Sequence, residues 1–260
     1  MNKALTLSLI IPAYNEEHHL KDCLDSVAAQ TRQPDEVLVI DNNSSDSTAI
    51  IARKYPFVTI LTEKNQGMIY ARNTGFNAAT STLLGRIDAD TVLPIDWVEK
   101  VHKFYTNEQN MDMALSGSGY FKNVRFPKIH SLFIDSFFIT NSLLFGKTLV
   151  WGPNMVMPAH IWQHIKDKTC PENPAIYEDV DISLHLKEAG IKTSWMRSLR
   201  VGTRQKHLSN PLKMLQYILR LSGTLKHHSN WRWMPVFMSA IGIFVFEYPF
   251  LYALRMGDDE

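Results

Sequence analysis

Short apolar runs and amphipathic segments alternate along the first ninety residues. Apolar runs typical of buried strands cover residues 5–11, 36–41 and 57–62, and a fourth run ends at Asp88. The segments between them have helical features: 17–29, a short helix that ends near Tyr55, and 67–79. Strands that alternate with helices form βαβ units, so the pattern predicts an α/β fold with a mostly parallel sheet.

Polar residues are concentrated where the predicted strands end. They are residues 12–16 after the first strand, Asp41 at the end of the second, 65–67 after the third, and Asp88 with Asp90 at the end of the fourth. In open α/β sheets, ligands bind beyond the carboxyl ends of the strands, so these clusters predict a binding site at one sheet edge. Helix capping is the alternative explanation for three polar residues after the second strand, Ser44, Ser45 and Asp46. Ser and Asp are common N-cap residues.

Two carboxylates close the fourth apolar run, in the sequence Asp88-Ala89-Asp90. Side chains two residues apart on an extended chain leave the same face. Asp88 and Asp90 are therefore candidates to share one hard divalent cation, which prefers oxygen ligands and also binds phosphate oxygens. Such triplets are common in solvated turns, so the interpretation depends on the polar clusters around this one.

Composition narrows the class of partner. The chain has 260 residues, 27 basic and 26 acidic side chains and a formal charge of +1, so we expect no nucleic-acid partner. This length suits one large α/β domain with an appendage. Cys23 and Cys170 follow no metal-ligand spacing, and the first residues do not resemble a signal peptide, so the cytoplasm is the expected compartment.

A second acidic cluster begins a predicted helix in the second half of the chain. The helix starts with Glu178, Asp179 and Asp181, and glycine follows its last turn at Ala189-Gly190. Acids in a first turn complement the helix dipole; this is our interpretation of Asp181, and it is the alternative for Glu178 and Asp179. Glu178 and Asp179 are candidates for chemistry.

Four segments together resemble the family 2 glycosyltransferases, which have the GT-A fold. They are Ser-Leu-Ile-Ile-Pro-Ala-Tyr-Asn-Glu at 8–16, Val-Ile-Asp-Asn-Asn-Ser-Ser-Asp at 39–46, Ala-Arg-Asn at 71–73 and Asp-Ala-Asp at 88–90. They occur in the family's order and at similar intervals over about the first hundred residues. The resemblance implies a Rossmann-like, mostly parallel sheet with helices on both faces, an inverting reaction, a nucleotide-diphosphate sugar donor and Mg²⁺ or Mn²⁺ as cofactor.

The resemblance also implies roles in binding the nucleoside. Pro12, Tyr14 and Glu16 would line the nucleoside pocket, where the tyrosine ring offers a face to the base or ribose. Asp41 would accept a hydrogen bond from the base. Gly67 would let the backbone approach the ligand closely.

Further residues are implied at the diphosphate and the cation. Arg72 would pair with the diphosphate or with an acidic partner, with a surface helix cation as the alternative. Asp88 would contact the ribose or the metal, and Asp90 would be the main metal ligand. His207 is a candidate further ligand because a neutral imidazole can bind Mn²⁺, although a histidine in a basic loop is often only solvated.

Acceptor-side residues are implied in the second half. Glu178-Asp179 resembles the family's Glu-Asp motif, whose second acid is the general base, so Asp179 is the predicted base and Glu178 an acceptor-side residue. An inverting displacement needs a base that deprotonates the acceptor hydroxyl opposite the leaving group. Trp151 and Gly152 resemble the family's acceptor segment, and an ordinary strand preceded by a turn is the alternative.

The C-terminal region is strongly apolar. Residues 236–254 are almost long enough to span a bilayer, but Glu247 and Pro249 interrupt them. Trp231 and Trp233, near basic side chains, resemble the rim of an interfacial element. We therefore expect contact with the cytoplasmic face of a membrane, with packing on the domain or a homodimer through this tail as the alternative.

These patterns predict two regions. Residues 1–205 would form the GT-A domain, with donor binding in 1–100 and acceptor binding in 101–205. Residues 206–260 would form a C-terminal helical extension.

The expected activity is metal-dependent transfer of one sugar, with a UDP-sugar favoured as donor and a glycan or lipid-linked acceptor. The Gln-x-x-Arg-Trp motif of processive synthases does not accompany Trp231-Arg232-Trp233, which favours single transfer. A sugar nucleotidyltransferase is disfavoured because residues 12–16 do not form a Gly-rich phosphate loop. An inactive nucleotide-sugar-binding protein is disfavoured because Asp90 and Asp179 are both present.

Overall fold

The structure is a computed structural model that describes residues 4–124, 126–145, 149–169, 176–204 and 211–228. Within these ranges the strands are β1 (Leu7–Ala13), β2 (Glu36–Asp41), β3 (Val58–Thr62), β4 (Leu83–Arg86), β5 (Met113–Phe121), β6 (Met155–Pro158) and β7 (Lys192–Thr203). The helices are α1 (Leu20–Ala28), α2 (Thr48–Ala52), α3 (Met68–Ala78), α4 (Trp97–Tyr105), α5 (Pro127–Phe145), α6 (Ala159–Ile165), α7 (Glu178–Glu188) and α8 (Pro211–His227).

The seven described strands form one sheet in the order β3-β2-β1-β4-β6-β5-β7. The first four strands of the chain run parallel to one another. β6 runs antiparallel to both of its neighbours, and β5 pairs in parallel with β7. The predicted α/β fold with a mostly parallel sheet is confirmed.

Alternation along β1 divides the core between the two faces of the sheet. Leu9 belongs to a buried cluster with Trp97 of α4, whereas Ile10 belongs to a second cluster with Trp162 of α6. Gly75 lets α3 lie directly on β1, since a Cβ there would be 2.4 Å from Ile10 Cγ2. Helices therefore cover both faces, as predicted.

The end of β4 differs from the sequence-based expectation. The strand stops at Arg86, and Asp88 lies beyond it in a turn where the Thr91 N–H donates to the Asp88 carbonyl at 3.0 Å. The predicted strand end at Asp88 was therefore two residues too late, and residues 88–90 enter a turn rather than an extended chain whose alternate side chains share a face. Their directions are set by the turn and by long-range contacts.

α8 packs against the segment that leads into α7. The Tyr177 N–H donates to Thr224 Oγ1 at 2.7 Å, and Arg220 Nη2 donates to the Ile176 carbonyl at 3.1 Å. Leu225 of α8 is fully buried. This part of the predicted C-terminal extension is thus in contact with the preceding residues of the chain, and the division at residue 205 stays a prediction.

Several sequence-based expectations concern residues that the structure does not describe. The apolar stretch 236–254, the tryptophans at 231 and 233, Cys170 and His207 lie outside the described residues. Among the described helices, none combines the length and the apolar character that crossing a bilayer requires.

Candidate active site

Strand register brings the predicted polar clusters to one edge of the sheet. Ala13 at the end of β1 is paired with Asp41 at the end of β2, and Asp41 is paired with Thr62 at the end of β3. On the other side of β1, Ile10 is paired with Arg86, the last residue of β4. The segments that follow these strands are therefore neighbours, and together they form the candidate site.

The segment after β1 presents one aromatic ring. Pro12 is buried, whereas Tyr14 is 51% exposed. Asn15 adopts a positive φ of 53°, a conformation in which asparagine is common. Its Oδ1 accepts from the Ser45 N–H at 2.9 Å, and the Glu16 N–H donates to Thr48 Oγ1 at 2.8 Å. These bonds fix the loop beneath Tyr14 to the segment that follows β2.

Asp41 and Asp46 have different surroundings. Asp41 is half-buried at the end of β2, and its Oδ1 accepts from the Ser44 N–H at 3.1 Å. Asp46 accepts from the Thr48 N–H through Oδ1 and from the Glu17 N–H through Oδ2. Asp46 thus binds the first residue of α2 and the loop after β1, but the N-cap residue of α2 is Ser47, which makes no side-chain capping bond. The contact of Asp41 with a base stays a prediction.

The loop between β3 and α3 is held by side-chain bonds at both ends. Asn42 donates through Nδ2 to the carbonyls of Glu63 and Asn65, and its Oδ1 accepts from the Gly67 N–H at 2.8 Å. Gly67 has a φ of 148°, which glycine adopts far more readily than other residues. Thr74 donates to the Glu63 carboxylate, and this bond, followed by the one from the Asn65 N–H, lowers the pKa of Glu63.

Asp88 and Asp90 point into different environments. Asp88 Oδ1 accepts from Arg86 Nη2 at 2.8 Å, and the Asp88 side chain is partly exposed. Asp90 is only 2% exposed, and its Oδ1 accepts from Thr203 Oγ1 at 3.2 Å. The end of β7 therefore supports Asp90, a contact that was not predicted from the sequence. Burial lowers the pKa of Lys122, and the negative charge of Asp90 acts against that shift.

Arg86 connects the two acidic parts of the site. Its guanidinium is almost fully buried, and the same Nη2 donates to Asp88 Oδ1 and to Glu178 Oε1, the latter at 3.2 Å. Burial opposes the charged state, but the charges of Asp88 and Glu178 hold the pKa of Arg86 above its usual value. Arg86 was not among the predicted site residues, although a lone cation at the end of an apolar run was the available signal.

Gly152 lies directly against this guanidinium. A Cβ at Gly152 would be 2.9 Å from Arg86 Nη1, so only glycine allows the backbone to pass here without displacement. The Gly152 N–H donates to Asp179 Oδ2 at 3.3 Å. The Gly152 backbone therefore lies close to the Arg86 guanidinium and binds the Asp179 carboxylate at the same time.

Asp179 is a buried carboxyl group in the first turn of α7. Its Oδ1 is buried without a hydrogen-bond partner in the described structure. Burial, and then the charge of Glu178, raises the pKa of Asp179 to about 7, against the opposing charge of Arg86. A carboxylate whose pKa is raised in this way is a stronger base than an ordinary Asp side chain, which suits it to take a proton from a hydroxyl group.

Arg72 is not on the surface. Its side chain is fully buried and donates through Nη1 to the Glu178 carbonyl at 2.8 Å and through Nε and Nη2 to Asn73 Oδ1. Its guanidinium carbon lies 5.9 Å from the centre of the Trp162 ring. Burial, and then the charge of Arg86, lowers the pKa of Arg72 to about 10. Arg72 therefore positions the start of α7, and a direct contact with a diphosphate stays a prediction.

Trp151 and Gly152 form a turn before β6. The Trp151 N–H donates to Ser116 Oγ at 2.9 Å, and a Cβ at Gly119 would be 2.3 Å from the Trp151 ring. Asn154, fully buried in the same turn, donates to the carbonyls of Ser118 and Leu199. The turn-and-strand alternative describes this local geometry well, and contact with an acceptor stays a prediction.

The sequence of this chain is similar to that of known transferases. Residues 8–164, more than half of the chain, match the family model described as Glycosyl transferase family 2. A stretch of 101 residues, 36% of this chain, is 40% identical to glycosyltransferase AglE of Haloferax volcanii and covers 33% of that protein. The chain therefore matches about a third of the length of this curated relative.

Solved structures with the same fold include two transferases. The mannosyltransferase PcManGT from Pyrobaculum calidifontis, in complex with GDP-Man and Mn²⁺, has a TM-score of 0.65 and 16% identity; the match covers 97% of this chain and 79% of that one. TarS of S. aureus in complex with UDP-GlcNAc has a TM-score of 0.61 and 18% identity, with 97% and 84% covered. Together with the family match over residues 8–164, the shared GT-A fold shows that this chain belongs to glycosyl transferase family 2.

Proposed function

We propose that this protein transfers one sugar from a nucleotide-diphosphate sugar to an acceptor hydroxyl, with inversion at the sugar carbon, and that Asp179 is the general base. The observation that carries the proposal is the environment of the Asp179 carboxyl group. Its Oδ2 accepts from the Gly152 N–H, whereas its buried Oδ1 has no partner among the described residues. One oxygen is thus oriented by the backbone, and the other can receive a proton.

The proposed step is a direct displacement. The acceptor hydroxyl gives its proton to Asp179 while its oxygen bonds to the anomeric carbon. The bond from that carbon to the diphosphate breaks on the opposite side, and the nucleoside diphosphate leaves with the electron pair. Attack from the face opposite the leaving group inverts the configuration.

The Arg86 guanidinium supports this arrangement. It binds Glu178 next to the base and Asp88 at the donor side, so the two halves of the site are held in one ion-paired network. Arg72 adds a second contact to the start of α7 through the Glu178 carbonyl. A base held by packing and by such bonds needs little reorganisation when the acceptor arrives.

Asp88 and Asp90 fit the oxygen chemistry of Mg²⁺ or Mn²⁺. We propose Asp90 as the main ligand, with Asp88 at the ribose or the cation and His207 as a candidate further ligand. When bound, such a cation offsets the negative charge on the departing diphosphate. Thr203, which donates to Asp90 Oδ1, would orient that carboxylate toward the ion.

The donor pocket is proposed at the loops after β1, β2 and β3. The exposed ring of Tyr14 offers a stacking face, Asp41 an acceptor for the base, and Gly67 a close backbone approach. Pro12 and Glu16 complete the nucleoside side. Because TarS has been solved with UDP-GlcNAc and PcManGT with GDP-Man, both nucleotides belong in the donor panel, with UDP-sugars first.

The acceptor is proposed to be a glycan or a lipid-linked sugar, bound near Trp151, Gly152 and Glu178. The apolar C-terminal residues would bring the enzyme to the cytoplasmic face of a membrane or join two copies. This part of the proposal rests on sequence, because those residues lie outside the described structure. Flotation of the full chain with vesicles, compared with the chain ending at residue 228, tests it.

Product analysis with a panel of nucleotide sugars tests the activity itself. Release of nucleoside diphosphate in the presence of Mn²⁺, with a glycosylated product, supports sugar transfer, whereas release of pyrophosphate indicates a nucleotidyltransferase. Binding of a nucleotide sugar without any turnover, across donors and acceptors, indicates an inactive binding protein. Asp112→Asn is a matched control, because that carboxylate is 90% exposed and has no part in the proposed step.

A further inference from the structure

A second cluster of polar side chains lies where α8 meets α7, and the proposed sugar transfer does not use it. It consists of Asp181 and His185 on α7 and His228 directly after α8. Asp181 Oδ1 lies 3.0 Å from His228 Nε2 and 3.4 Å from His185 Nε2. The three side chains are between 0% and 7% exposed.

Glu188 faces the same two imidazole rings from the other side. Its Oε2 lies 3.1 Å from His185 Nδ1, and its Oε1 lies 3.5 Å from His228 Nδ1. Both Nε2 atoms therefore point to Asp181, and both Nδ1 atoms point to Glu188. The ring centroids are 4.7 Å apart.

This arrangement is hard to satisfy with protons alone. A neutral imidazole carries one proton, so each neutral ring would direct a nitrogen lone pair at a carboxylate oxygen. Two protonated rings would bind both carboxylates, but they would hold two imidazolium charges in a buried site with ring centroids 4.7 Å apart. Moreover, His185 Nε2 is buried and has no hydrogen-bond partner within the described structure.

We propose that Asp181, His185 and His228 bind a divalent transition metal ion of the Zn²⁺ class. Two imidazole nitrogens and one carboxylate oxygen are a common ligand set for zinc. Bonds of about 2.0–2.1 Å in a tetrahedral site separate neighbouring ligand atoms by about 3.3 Å, close to the two separations at Asp181. The ion would accept the Nε2 lone pairs, and each Nδ1–H would donate to Glu188.

Glu188 then has the role of an outer carboxylate that orients two metal-binding histidines. The charges also balance, since a divalent ion with two neutral rings compensates Asp181 and Glu188. The ion would join α8 to α7 at Asp181, which is two residues after Asp179 in the chain. This site is separate from Asp88 and Asp90, and the inference does not depend on the proposed transferase activity.

Metal binding by the full chain tests the proposal without any activity measurement. The purified protein is stripped with a chelator and titrated with Zn²⁺ and, separately, with Mg²⁺. We expect one tightly bound Zn²⁺ per chain that an equal concentration of Mg²⁺ does not displace, and a rise in the unfolding temperature with Zn²⁺. A chain that binds no Zn²⁺, or whose Zn²⁺ is displaced by an equal concentration of Mg²⁺, overturns the proposal.

Variants locate the site. His185→Asn and His228→Asn should each weaken Zn²⁺ binding by more than about 100-fold, and Glu188→Gln by about 10- to 100-fold, as expected for an outer partner. Asp90→Asn and the exposed control His18→Asn should bind Zn²⁺ as the unmodified chain does. Unchanged affinity in both His185→Asn and His228→Asn contradicts the assignment, and so does loss of the ion in Asp90→Asn.

A spectroscopic measurement on the unmodified chain keeps the proposal testable if a variant does not fold. The X-ray absorption spectrum of the Zn²⁺-loaded protein should contain the scattering pattern of two imidazole rings at about 2.0–2.1 Å. A spectrum with oxygen ligands alone, or with one imidazole, would falsify the assignment.

Discussion

Arg86 Nη2 lies 3.2 Å from Glu178 Oε1, and these two residues are 92 positions apart in the sequence. The contact joins the end of β4 to the first residue of α7. The same nitrogen also binds Asp88, so one buried cation holds a donor-side carboxylate and the neighbour of the proposed base. The positions of both halves of the site therefore depend on this side chain.

Replacing Arg86 with methionine keeps much of the volume and removes the charge. Asp88 and Glu178 would then be left without their cation, and the free energy of unfolding should fall by about 3 kcal/mol, as when one partner of a buried ion pair is removed. Urea unfolding measures this loss. Lys21→Met is the control, because Lys21 forms an exposed ion pair with Asp25 and its removal should change stability little. Equal effects of the two variants contradict the role given to Arg86.

Asp179→Asn tests the proposed base. The amide cannot accept the hydroxyl proton, so the turnover number should fall by about 10²- to 10⁴-fold, while donor affinity stays the same because the change is on the acceptor side. Calorimetry with a donor that supports turnover, together with initial rates, separates the two quantities. Asp112→Asn should have no effect on either quantity. Normal turnover in Asp179→Asn removes the assignment.

Gly152→Ala tests the backbone contact between Arg86 and Asp179. The new methyl group would lie about 3 Å from the Arg86 guanidinium, so the Gly152 N–H must move and release Asp179 Oδ2. Turnover should fall more than donor affinity. Gly190→Asn is a matched control, because Gly190 has a φ of 73°, which asparagine tolerates, and a Cβ there meets nothing within 4 Å. Equal kinetic constants for Gly152→Ala and the unmodified chain argue against this contact.

The sheet and the location of the site follow from local pattern. β2 has the predicted bounds, 36–41, since a short apolar run flanked by polar residues defines both ends of a buried strand. Parallel strands place their carboxyl ends together, so the loops after β1 to β4 could be assigned to one edge without coordinates. The segments after β1, β2 and β4 that resemble the family's motifs lie at this same edge.

Partners that are distant in sequence could not be predicted in this way. Thr203 donates to Asp90 across 113 positions, and periodicity identifies a buried face without identifying the partner that packs on it. Asp181 was interpreted as a charge that complements the helix dipole, yet it is fully buried beside His185 and His228. The position of His228 relative to α7 depends on how α8 packs, which no local pattern specifies.

Asp90→Asn tests the proposed cation at the donor. The amide is a weaker ligand for a hard cation than a carboxylate, so the gain in donor affinity on adding Mn²⁺ should fall at least about tenfold. Affinity for the donor without metal should change much less. Titrations with and without Mn²⁺ measure both quantities. Asp96→Asn is the control, since Asp96 is partly exposed at the start of α4. A Mn²⁺ effect that survives intact in Asp90→Asn places the cation elsewhere.

The free energy of unfolding depends on pH through Glu63, in the loop between β3 and α3. Bonds from Thr74 and the Asn65 N–H lower the pKa of Glu63 below 4.5, so the unfolded chain binds its proton at a higher pH than the folded chain. Its contribution is complete above about pH 4.5 and is lost as the pH falls through the lower folded-state value. Glu63→Gln should reduce the free energy of unfolding at pH 7 and flatten its decline between about pH 5 and pH 3. Unfolding curves across this range measure the difference, and parallel pH profiles for Glu63→Gln and the unmodified chain contradict the role of this carboxylate.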